Sequence, residues 1–300
     1  MKNITLVILA AGMGSRFGGL KQVMSIGDND EVLADYSVYD AAKAGFTKVV
    51  YVIKPEMKQE FIQKVVKRIE KSGKIKVELA YQKMDDLPKG FSVPAGREKP
   101  WGTSHALWAA RTATKEPFMV INADDFYGYS AYKDMYTFLS EHSSKHRYAM
   151  AGYALKNTIL GNAEVSRGVC IEDGGYLSDI EEITNIHKDK SIFGYYKNQN
   201  FIELHPDTIV SMNAFGFATS IFDEICYGFE NFLAQNINNL KAEYYLPTTV
   251  KEVINKNIAK IAILPAKDKW YGFTYKEDQE IVQDAIKKMI SFGIYPKRLF

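Results

Sequence analysis

The chain has 300 residues, of which 46% are hydrophobic and 25% are charged, and its formal net charge at pH 7 is +2. These values are those of a globular protein with a substantial core. Because the net charge is small, neither a nucleic-acid-binding surface nor a basic membrane-binding patch is indicated. No signal-peptide pattern and no run of about 18 apolar residues occurs. The two cysteines, Cys170 and Cys226, are typical of a reducing compartment. We therefore expect a cytoplasmic protein without nucleic-acid or membrane partners.

A strand followed by a glycine-rich loop spans residues 6–22, with the sequence LVILAAGMGSRFGGLKQ. The loop carries two cations, Arg16 and Lys21, and its glycines are Gly12, Gly14, Gly18 and Gly19. Glycines allow positive φ and close backbone approach, and exposed N–H groups at a strand-to-helix turn can surround an anion. We therefore expect this loop to bind phosphate.

Spacing excludes the two commonest phosphate-binding motifs. Phe17 stands where a dinucleotide fingerprint needs its third glycine. In a Walker P-loop a lysine follows the last glycine directly, but here Leu20 separates Gly19 from Lys21. These departures argue against a NAD-dependent oxidoreductase and against a P-loop NTPase.

Apolar strands alternate with helical patterns through the first half of the chain. The predicted strands are residues 4–10, 48–53, 76–81 and 117–123, and the predicted helices are residues 33–44, 56–72 and 103–113. This alternation predicts a parallel sheet covered on both faces, with ligands beyond the carboxyl ends of the strands.

A segment without periodicity, residues 82–101, lies between the third predicted strand and the third helix. It contains three prolines and the cations Lys89, Arg97 and Lys99. Such long segments often form an active-site lid, and the competing interpretation is a rigid excursion held by its aromatic residues. His105, just beyond it, is expected to order this region rather than to react.

Two adjacent acids, Asp124 and Asp125, follow the fourth predicted strand. A carboxylate at the mouth of a buried strand is costly to desolvate unless it is paired with a cation, and carboxylate oxygens suit Mg²⁺. We expect Asp124 to be a metal ligand. Asp125 is interpreted as a supporting or substitute ligand, or as the cap of the next helix.

The second half of the chain, from about residue 151, mixes strands and loops. The strand-rich stretches are residues 149–155, 166–183, 201–218 and 258–266, and residues 220–237 and 246–256 have helical patterns. The tail, residues 278–300, carries an amphipathic helix whose apolar side is expected to face the core or another subunit. A homo-oligomer is therefore left open.

These motifs resemble those of the sugar-phosphate nucleotidylyltransferase family, whose members include glucose-1-phosphate thymidylyl- and uridylyltransferases. The family opens with LAAGxGxRxxxxxxK, matched here by LAAGMGSRFGGLK, and PWGTSHALWAA resembles its GTAHAV-type element. The resemblance implies an α/β fold with a doubly wound, mostly parallel, Rossmann-like sheet of the nucleotide-diphospho-sugar transferase (GT-A-like) type. It implies one domain over residues 1–300, with a nucleotide-binding half at 1–150. The acceptor-binding half at 151–300 would be mixed and end in the C-terminal helix.

The resemblance also implies roles for individual residues. Catalysis falls on Arg16, Lys21 and Asp124, with Asp124 ligating Mg²⁺ or Mn²⁺. The implied nucleotide-binding residues are Leu9, Ala10, Ala11, Gly12, Gly14, Ser15, Arg16, Lys21, Gln82, Gly102, Thr103 and Asp124. The implied substrate-binding residues are Asp125, Tyr127, Glu181, Glu182 and Asn213.

Three positions depart from the family pattern. Leu20 replaces the usual proline before the loop lysine. Ile183 stands where a lysine usually holds the sugar phosphate. Gly272 replaces the acid that supplies a second carboxylate to the metal, so that Asp268 or another carboxylate would have to substitute, or the metal would rest on Asp124, phosphates and water.

The implied reaction moves a nucleoside monophosphate from an NTP to a sugar 1-phosphate and releases pyrophosphate. A phosphate monoester is already ionised at neutral pH, so the reaction needs no Ser/His/Asp constellation. Two alternatives remain: cytidylyl transfer to a non-sugar phosphate such as phosphocholine, and a sensor that binds nucleotide or sugar phosphate without turnover.

Overall fold

Four parallel strands form the first half of the sheet. They are β1 (Thr5–Leu9), β2 (Lys48–Ile53), β3 (Lys76–Tyr81) and β4 (Phe118–Asn122), in the spatial order β3-β2-β1-β4. The computed structural model describes residues 2–12, 24–160, 164–189, 192–273 and 278–300. Because the four strands run in the same direction, their carboxyl ends meet at one edge of the sheet.

Helices cover both faces of this sheet. They are α1 (Leu33–Ala44), α2 (Lys58–Phe61), α3 (Lys67–Ser72), α4 (Thr103–Ala109), α5 (Tyr129–Glu141), α6 (Ile221–Asn236), α7 (Leu246–Asn255) and α8 (Asp278–Ser291). Alternate residues of β1 enter different apolar layers, since successive side chains of a strand point to opposite faces. Leu6 packs in the layer that contains residues of α1 and α5, whereas Val7 packs in the layer that contains residues of α4, α6 and α7.

The second half of the sheet corrects the expectation of a mostly parallel sheet. Its strands are β6 (Arg147–Ala154), β7 (Val165–Asp173), β8 (Tyr176–Asp189), β9 (Ile192–Lys197), β10 (Asn200–Leu204), β11 (Ile209–Phe217) and β12 (Lys260–Pro265). Two further strands, β5 (Asp125–Phe126) and β13 (Tyr271–Gly272), form a separate two-stranded sheet. Apart from the parallel pair β6–β12, the pairings among these strands are antiparallel in the described residues. The physical reason is the short connections, such as Gly174–Gly175 at positive φ between β7 and β8, which return the chain antiparallel.

Strand β11 joins the two halves. It pairs antiparallel with β4 through Phe215↔Val120 and with β6 through Phe215↔Met150. Strand β7 pairs with β11 at Ser211↔Gly168 and with β8 along most of its length. The second half of the chain therefore lies beside the carboxyl end of β4.

Two predicted helices are shorter or less regular than expected. The region predicted as one helix over 56–72 begins with a 3₁₀ turn at Pro55–Met57 and contains a π-helical turn at Ile62–Val66 between α2 and α3. The helix predicted over 103–113 ends at Ala109 and continues as turns. By contrast, α1 has the predicted bounds.

The C-terminal helix α8 packs against the body of the chain. Its Val282 and Ile286 are buried in a cluster with Ile26, Phe126 and Tyr295. Within the described ranges, no helix combines the length and apolar character needed to cross a membrane.

Two glycines that end helices offer a matched test of packing. Both Gly45, after α1, and Gly73, after α3, have positive φ. A Cβ on Gly45 would lie 2.7 Å from a ring carbon of Tyr136, whereas a Cβ on Gly73 would meet nothing within 4 Å.

We predict that Gly73→Ala lowers the free energy of unfolding by about 1 kcal/mol, which is the backbone cost of a left-handed residue. Gly45→Ala should lower the free energy of unfolding by about 1–3 kcal/mol more than Gly73→Ala does, because the added methyl group also collides with Tyr136. Urea unfolding of both variants measures the difference. Equal losses would contradict the packing seen beside Gly45.

Candidate active site

A cavity of about 540 Å³ opens at the carboxyl ends of β1, β3 and β4. Elements of both halves of the chain line it. The predicted site residues among its walls are Leu9, Ala11, Gly12, Gln82, Gly102, Thr103, Asp124, Asp125, Glu182 and Asn213. The structure thus brings predicted nucleotide-binding and predicted acceptor-binding residues to one cavity.

Three predicted site residues lie elsewhere. Ala10 is completely buried. Tyr127 is also completely buried and is not among the residues that line the cavity, so its contact with a substrate stays a prediction. Glu181 is exposed beside Lys197, at 3.7 Å, because it precedes Glu182 on β8 and successive strand residues point to opposite faces. Gly14, Ser15, Arg16 and Lys21 lie outside the described residues.

Gln82 is held by a chain of hydrogen bonds. Its Nε2 atom lies 3.3 Å from the Gly102 carbonyl oxygen and 3.1 Å from His105 Nδ1. His105 Nε2 lies 2.9 Å from the Asp86 carbonyl oxygen. Because a carbonyl oxygen can only accept a hydrogen bond, His105 Nε2 carries the ring proton, and His105 Nδ1 accepts a hydrogen bond from Gln82 Nε2. Both amide hydrogens of Gln82 are thus engaged, which leaves its Oε1 atom as an acceptor for a ligand.

The segment before α4 is fastened to the chain before α7. Tyr244 N donates to Trp101 O at 2.8 Å, and Ser104 N donates to Tyr244 O at 3.1 Å. Between them, Gly102 has φ +102°, and a Cβ there would lie 2.5 Å from Tyr244 O. Only glycine fits this turn.

The 82–101 segment is packed rather than open. The guanidinium of Arg97 lies 3.3 Å from the Trp101 ring centroid, and it donates to the carbonyl oxygens of Pro100, Asn239 and Ala242. Lys99 lines the cavity and pairs with Glu243 at 2.5 Å. The contacts of Arg97 favour the rigid alternative over a lid for this part of the segment.

Asp125 is a buried carboxylate held in a fixed orientation. Its Oδ2 atom accepts from Asn122 Nδ2 at 2.9 Å and from the hydroxyl of Tyr127 at 3.0 Å. The same hydroxyl lies 2.9 Å from the Met212 carbonyl oxygen. Burial and the neighbouring charge of Asp124 raise the pKa of Asp125 to about 7. Tyr127 therefore positions Asp125 from below the cavity.

Gly272 faces Asp125 across the strand pair β5–β13. The two residues are register partners, and a Cβ on Gly272 would lie 2.2 Å from a ring carbon of Trp270 and 2.6 Å from Asp125 Oδ1. The Trp270 ring and the Asp125 carboxylate together therefore occupy the space into which a side chain at position 272 would project. Asp268 is used differently: its Oδ2 atom accepts from Ser130 N at 2.9 Å and from Ser130 Oγ at 2.6 Å, at the start of α5.

Arg167 on β7 is a cavity residue that sequence reasoning missed. Its side chain is 5% exposed, and burial lowers its pKa to about 10. It donates through Nε and Nη2 to Thr158 and through Nη1 to Ser166 O, and it lies 4.8 Å from the Trp270 ring centroid. Its register partner on β8 is Ile183, which is buried in the core. The signal in the sequence was an arginine inside the predicted strand-rich stretch at residues 166–183.

Asn213 enters the cavity from an irregular part of β11. The register of β11 against β6 shifts between Ser211 and Phe215, and Asn213 has φ +60°. Asparagine tolerates this left-handed conformation better than most residues, and such strained positions cluster at functional sites.

A family model described as "Nucleotidyl transferase" matches residues 5–165. The chain belongs to the nucleotidyl transferase family. It is therefore an enzyme of the nucleotidyltransferase type, as the glycine loop and the Asp124 motif predicted. No curated protein matches the chain.

Solved structures of this family share the fold. One is the inositol-1-phosphate CTP transferase of T. maritima, with TM-score 0.64 and 13% identity, covering 95% of this chain and 96% of that one. A putative glucose-1-phosphate thymidylyltransferase of Bacillus anthracis, in complex with a sucrose, has TM-score 0.62 and 12% identity, with 94% of each chain covered. A UDP-glucose pyrophosphorylase complexed with UDP-glucose has TM-score 0.56 and 18% identity, and the match covers 96% of this chain and 99% of that one. At these identities the likeness shows the fold alone.

The hydrogen-bonded His105 of this nucleotidyltransferase gives a prediction for pH. His105 is completely buried, and burial lowers its pKa from 6.5. The folded protein therefore binds fewer protons there than the unfolded protein does. The stability contributed by neutral His105 is complete above about pH 6.5 and is lost as the pH falls towards the lowered pKa, at up to about 1.4 kcal/mol per pH unit.

We predict that the stability difference between the natural protein and His105→Asn narrows as the pH falls from about 8 to about 5, because only the natural protein has this group to titrate. Denaturant unfolding at each pH gives the difference. A difference that stays constant over this range would show that His105 is not held neutral in the fold.

Proposed function

We propose that this nucleotidyltransferase transfers a nucleoside monophosphate from an NTP to a sugar 1-phosphate, forming a nucleoside diphosphate sugar. The family supports nucleotidyl transfer, and the choice of acceptor is our proposal. The observation that carries it is the single cavity in which Gly12 and Gln82, from the nucleotide half, face Glu182 and Asn213, from the acceptor half. The adjacent carboxylates of Asp124 and Asp125 line the same cavity.

In the proposed reaction, an oxygen of the acceptor phosphate attacks the α-phosphorus of the NTP. The bond from the α-phosphorus to the bridging oxygen breaks, and pyrophosphate leaves with the electron pair. The protein positions two polyanions and offsets their charge. We assign Arg16 and Lys21 to the triphosphate, Gly102 and Thr103 to the base and ribose, and Gln82 Oε1 to an N–H donor of the base.

The carboxylates fit a bound Mg²⁺ or Mn²⁺. Asp125 Oδ2 is engaged by Asn122 and Tyr127, and the Asp125 carboxylate lines the cavity beside Asp124. We propose that Asp124 and Asp125 both hold the metal. Among the described residues no group of three His, Cys, Asp or Glu side chains could hold a metal ion. Substrate phosphates and water would complete the coordination, as Mg²⁺ prefers. When bound, the metal would neutralise charge on the triphosphate.

A further proposal concerns location. Both cysteines are free thiols, which is typical of proteins in a reducing compartment. We propose a cytoplasmic location on this ground.

Pyrophosphate release tests the proposed reaction. The purified chain is incubated with Mg²⁺, with each of UTP, dTTP, CTP and GTP in turn, and with a panel of hexose 1-phosphates, inositol 1-phosphate and phosphocholine. We expect release that requires both an NTP and a sugar 1-phosphate, and that forms one sugar nucleotide per pyrophosphate. Release only with phosphocholine or inositol 1-phosphate would reject the sugar acceptor. Binding without release for every pair would support a sensor.

The metal assignment predicts an order among aspartate variants. Activity should need Mg²⁺ or Mn²⁺ and disappear with a chelator. The activity of Asp124→Asn should fall about a hundredfold or more, because an amide keeps the shape of the carboxylate but not its charge. Asp125→Asn should lose less activity than Asp124→Asn. Each variant should need a higher Mn²⁺ concentration than the natural protein for half-maximal activity.

The matched control is Asp207→Asn, since Asp207 is exposed and pairs with Lys156 away from the cavity. It should behave as the natural protein does. An unchanged Mn²⁺ requirement in Asp125→Asn would remove Asp125 from the metal site. A larger loss in Asp125→Asn than in Asp124→Asn would exchange the two roles.

A further inference from the structure

We propose that Arg167 binds the phosphate group of the acceptor and does the work of the lysine that Ile183 replaces. This inference rests on the proposed function, because it names the residue that recognises the phosphate of the acceptor in that reaction. It concerns the side of the cavity formed by β7, β8 and β11.

The first supporting observation is the pairing of residues between β7 and β8. Arg167 and Ile183 are direct partners, and the next pair is Gly168 and Glu182. Ile183 is buried among apolar side chains and offers no charge. Partners in an antiparallel pair have their side chains on the same face of the sheet, about 5 Å apart. A cation at position 167 therefore lies within one side-chain width of the place that a cation at position 183 would occupy.

The hydrogen bonds of Arg167 leave it able to bind an oxyanion. A guanidinium has five N–H donors. One from each nitrogen is used: Nε donates to Thr158 Oγ1 at 3.1 Å, Nη1 donates to Ser166 O at 2.7 Å, and Nη2 donates to Thr158 O. These bonds fix the plane of the group, and one N–H on each terminal nitrogen has no partner among the described residues. Two donors on one guanidinium suit a phosphate.

The charge of Arg167 has no close partner among the described residues. No carboxylate oxygen there forms an ion pair with it within 4.0 Å, although the charges of Asp125, Glu182 and Asp278 favour its charged form. The side chain is 5% exposed. A buried cation without a close counter-charge is costly. An arriving phosphate dianion would supply that counter-charge.

The surroundings of Arg167 match the remaining part of such an acceptor. Glu182 lines the same cavity from the opposite face of the β7–β8 pair, and Asn213 enters it from β11. A carboxylate and an amide are suited to hydroxyl groups. The ligand that fits this side of the cavity is therefore a hydroxyl-bearing phosphate monoester, with its phosphate on Arg167.

The competing role for Arg167 is structural. It would then only fasten Thr158 and offset the charges of Asp125 and Glu182. The two roles differ in what a substitution changes: a phosphate ligand changes the apparent affinity for the acceptor alone, whereas a structural cation changes stability and the affinities for both substrates.

Three variants separate these roles. Arg167→Met removes the charge and keeps much of the side-chain volume. Arg167→Lys keeps the charge without the paired donors. Arg147→Met is the matched control, because Arg147 is exposed at the start of β6, at the opposite edge of the sheet.

Steady-state kinetics use the NTP and acceptor that pyrophosphate release selects. In Arg167→Met we expect the KM for the acceptor to rise about tenfold or more, as for the loss of a charged hydrogen-bonding partner, with the KM for the NTP within about twofold of the natural value. Arg167→Lys should recover part of the lost affinity for the acceptor. The control Arg147→Met should leave both KM values unchanged. Equal changes in both KM values, or no change in the acceptor KM, would overturn the proposal.

Calorimetric titration with inorganic phosphate keeps the test independent of turnover. It is done with saturating pyrophosphate and Mg²⁺, so that the triphosphate loop does not contribute. We expect the natural protein and Arg147→Met to bind phosphate and Arg167→Met to bind it at least about tenfold more weakly. If no pair of substrates reacts, the proposed function fails, but this binding result still supports Arg167. Equal phosphate binding by Arg167→Met, or none by the natural protein, would overturn the inference.

Discussion

The pairing of β11 with β4 is the constraint on which the site depends. Strand β4 ends at Asn122, beside the end of β1 at Leu9, and β11 runs antiparallel to β4 through Phe215↔Val120. The irregular part of β11 around Asn213 therefore lies beside Asp124 and Asp125. Without this pairing, the nucleotide elements and the acceptor elements would not face one cavity.

We propose that the partner strand compensates for two departures from the family pattern. Gly272 lacks a carboxylate, and its register partner on β5 is Asp125; Ile183 lacks a cation, and its register partner on β7 is Arg167. Cross-strand partners share a face of the sheet, so the chemistry of a site can be kept when a charge moves from one strand to the next. A comparison along the sequence alone finds two losses at these positions, whereas the register shows a neighbouring group of the same charge.

The sequence predicted much of the fold because its first half is locally consistent. The apolar strands, the apolar spacing of α1 and the long loop over 82–101 each point to the observed element. The direction of the later strands could not be read in the same way. An antiparallel strand and a parallel one differ in their hydrogen-bonding partners, not in their local pattern. The π-helical turn in Ile62–Val66 is also invisible to a search for a 3.6-residue period.

The candidate site was predictable where a residue type needs a special backbone, and less so where packing decides. Gly102 at φ +102° and the acids after β4 could be found from the sequence. Tyr127 and Arg97 could not be assigned, because a tyrosine beneath a carboxylate and an arginine tied to three carbonyl oxygens have the same sequence signature as ligand-binding side chains. Anomalous diffraction from crystals grown with Mn²⁺ and pyrophosphate tests the central claim most directly. Our account predicts one manganese peak bonded to oxygen atoms of both Asp124 and Asp125. A peak bonded to Asp268 or to Asp124 without Asp125 would contradict it.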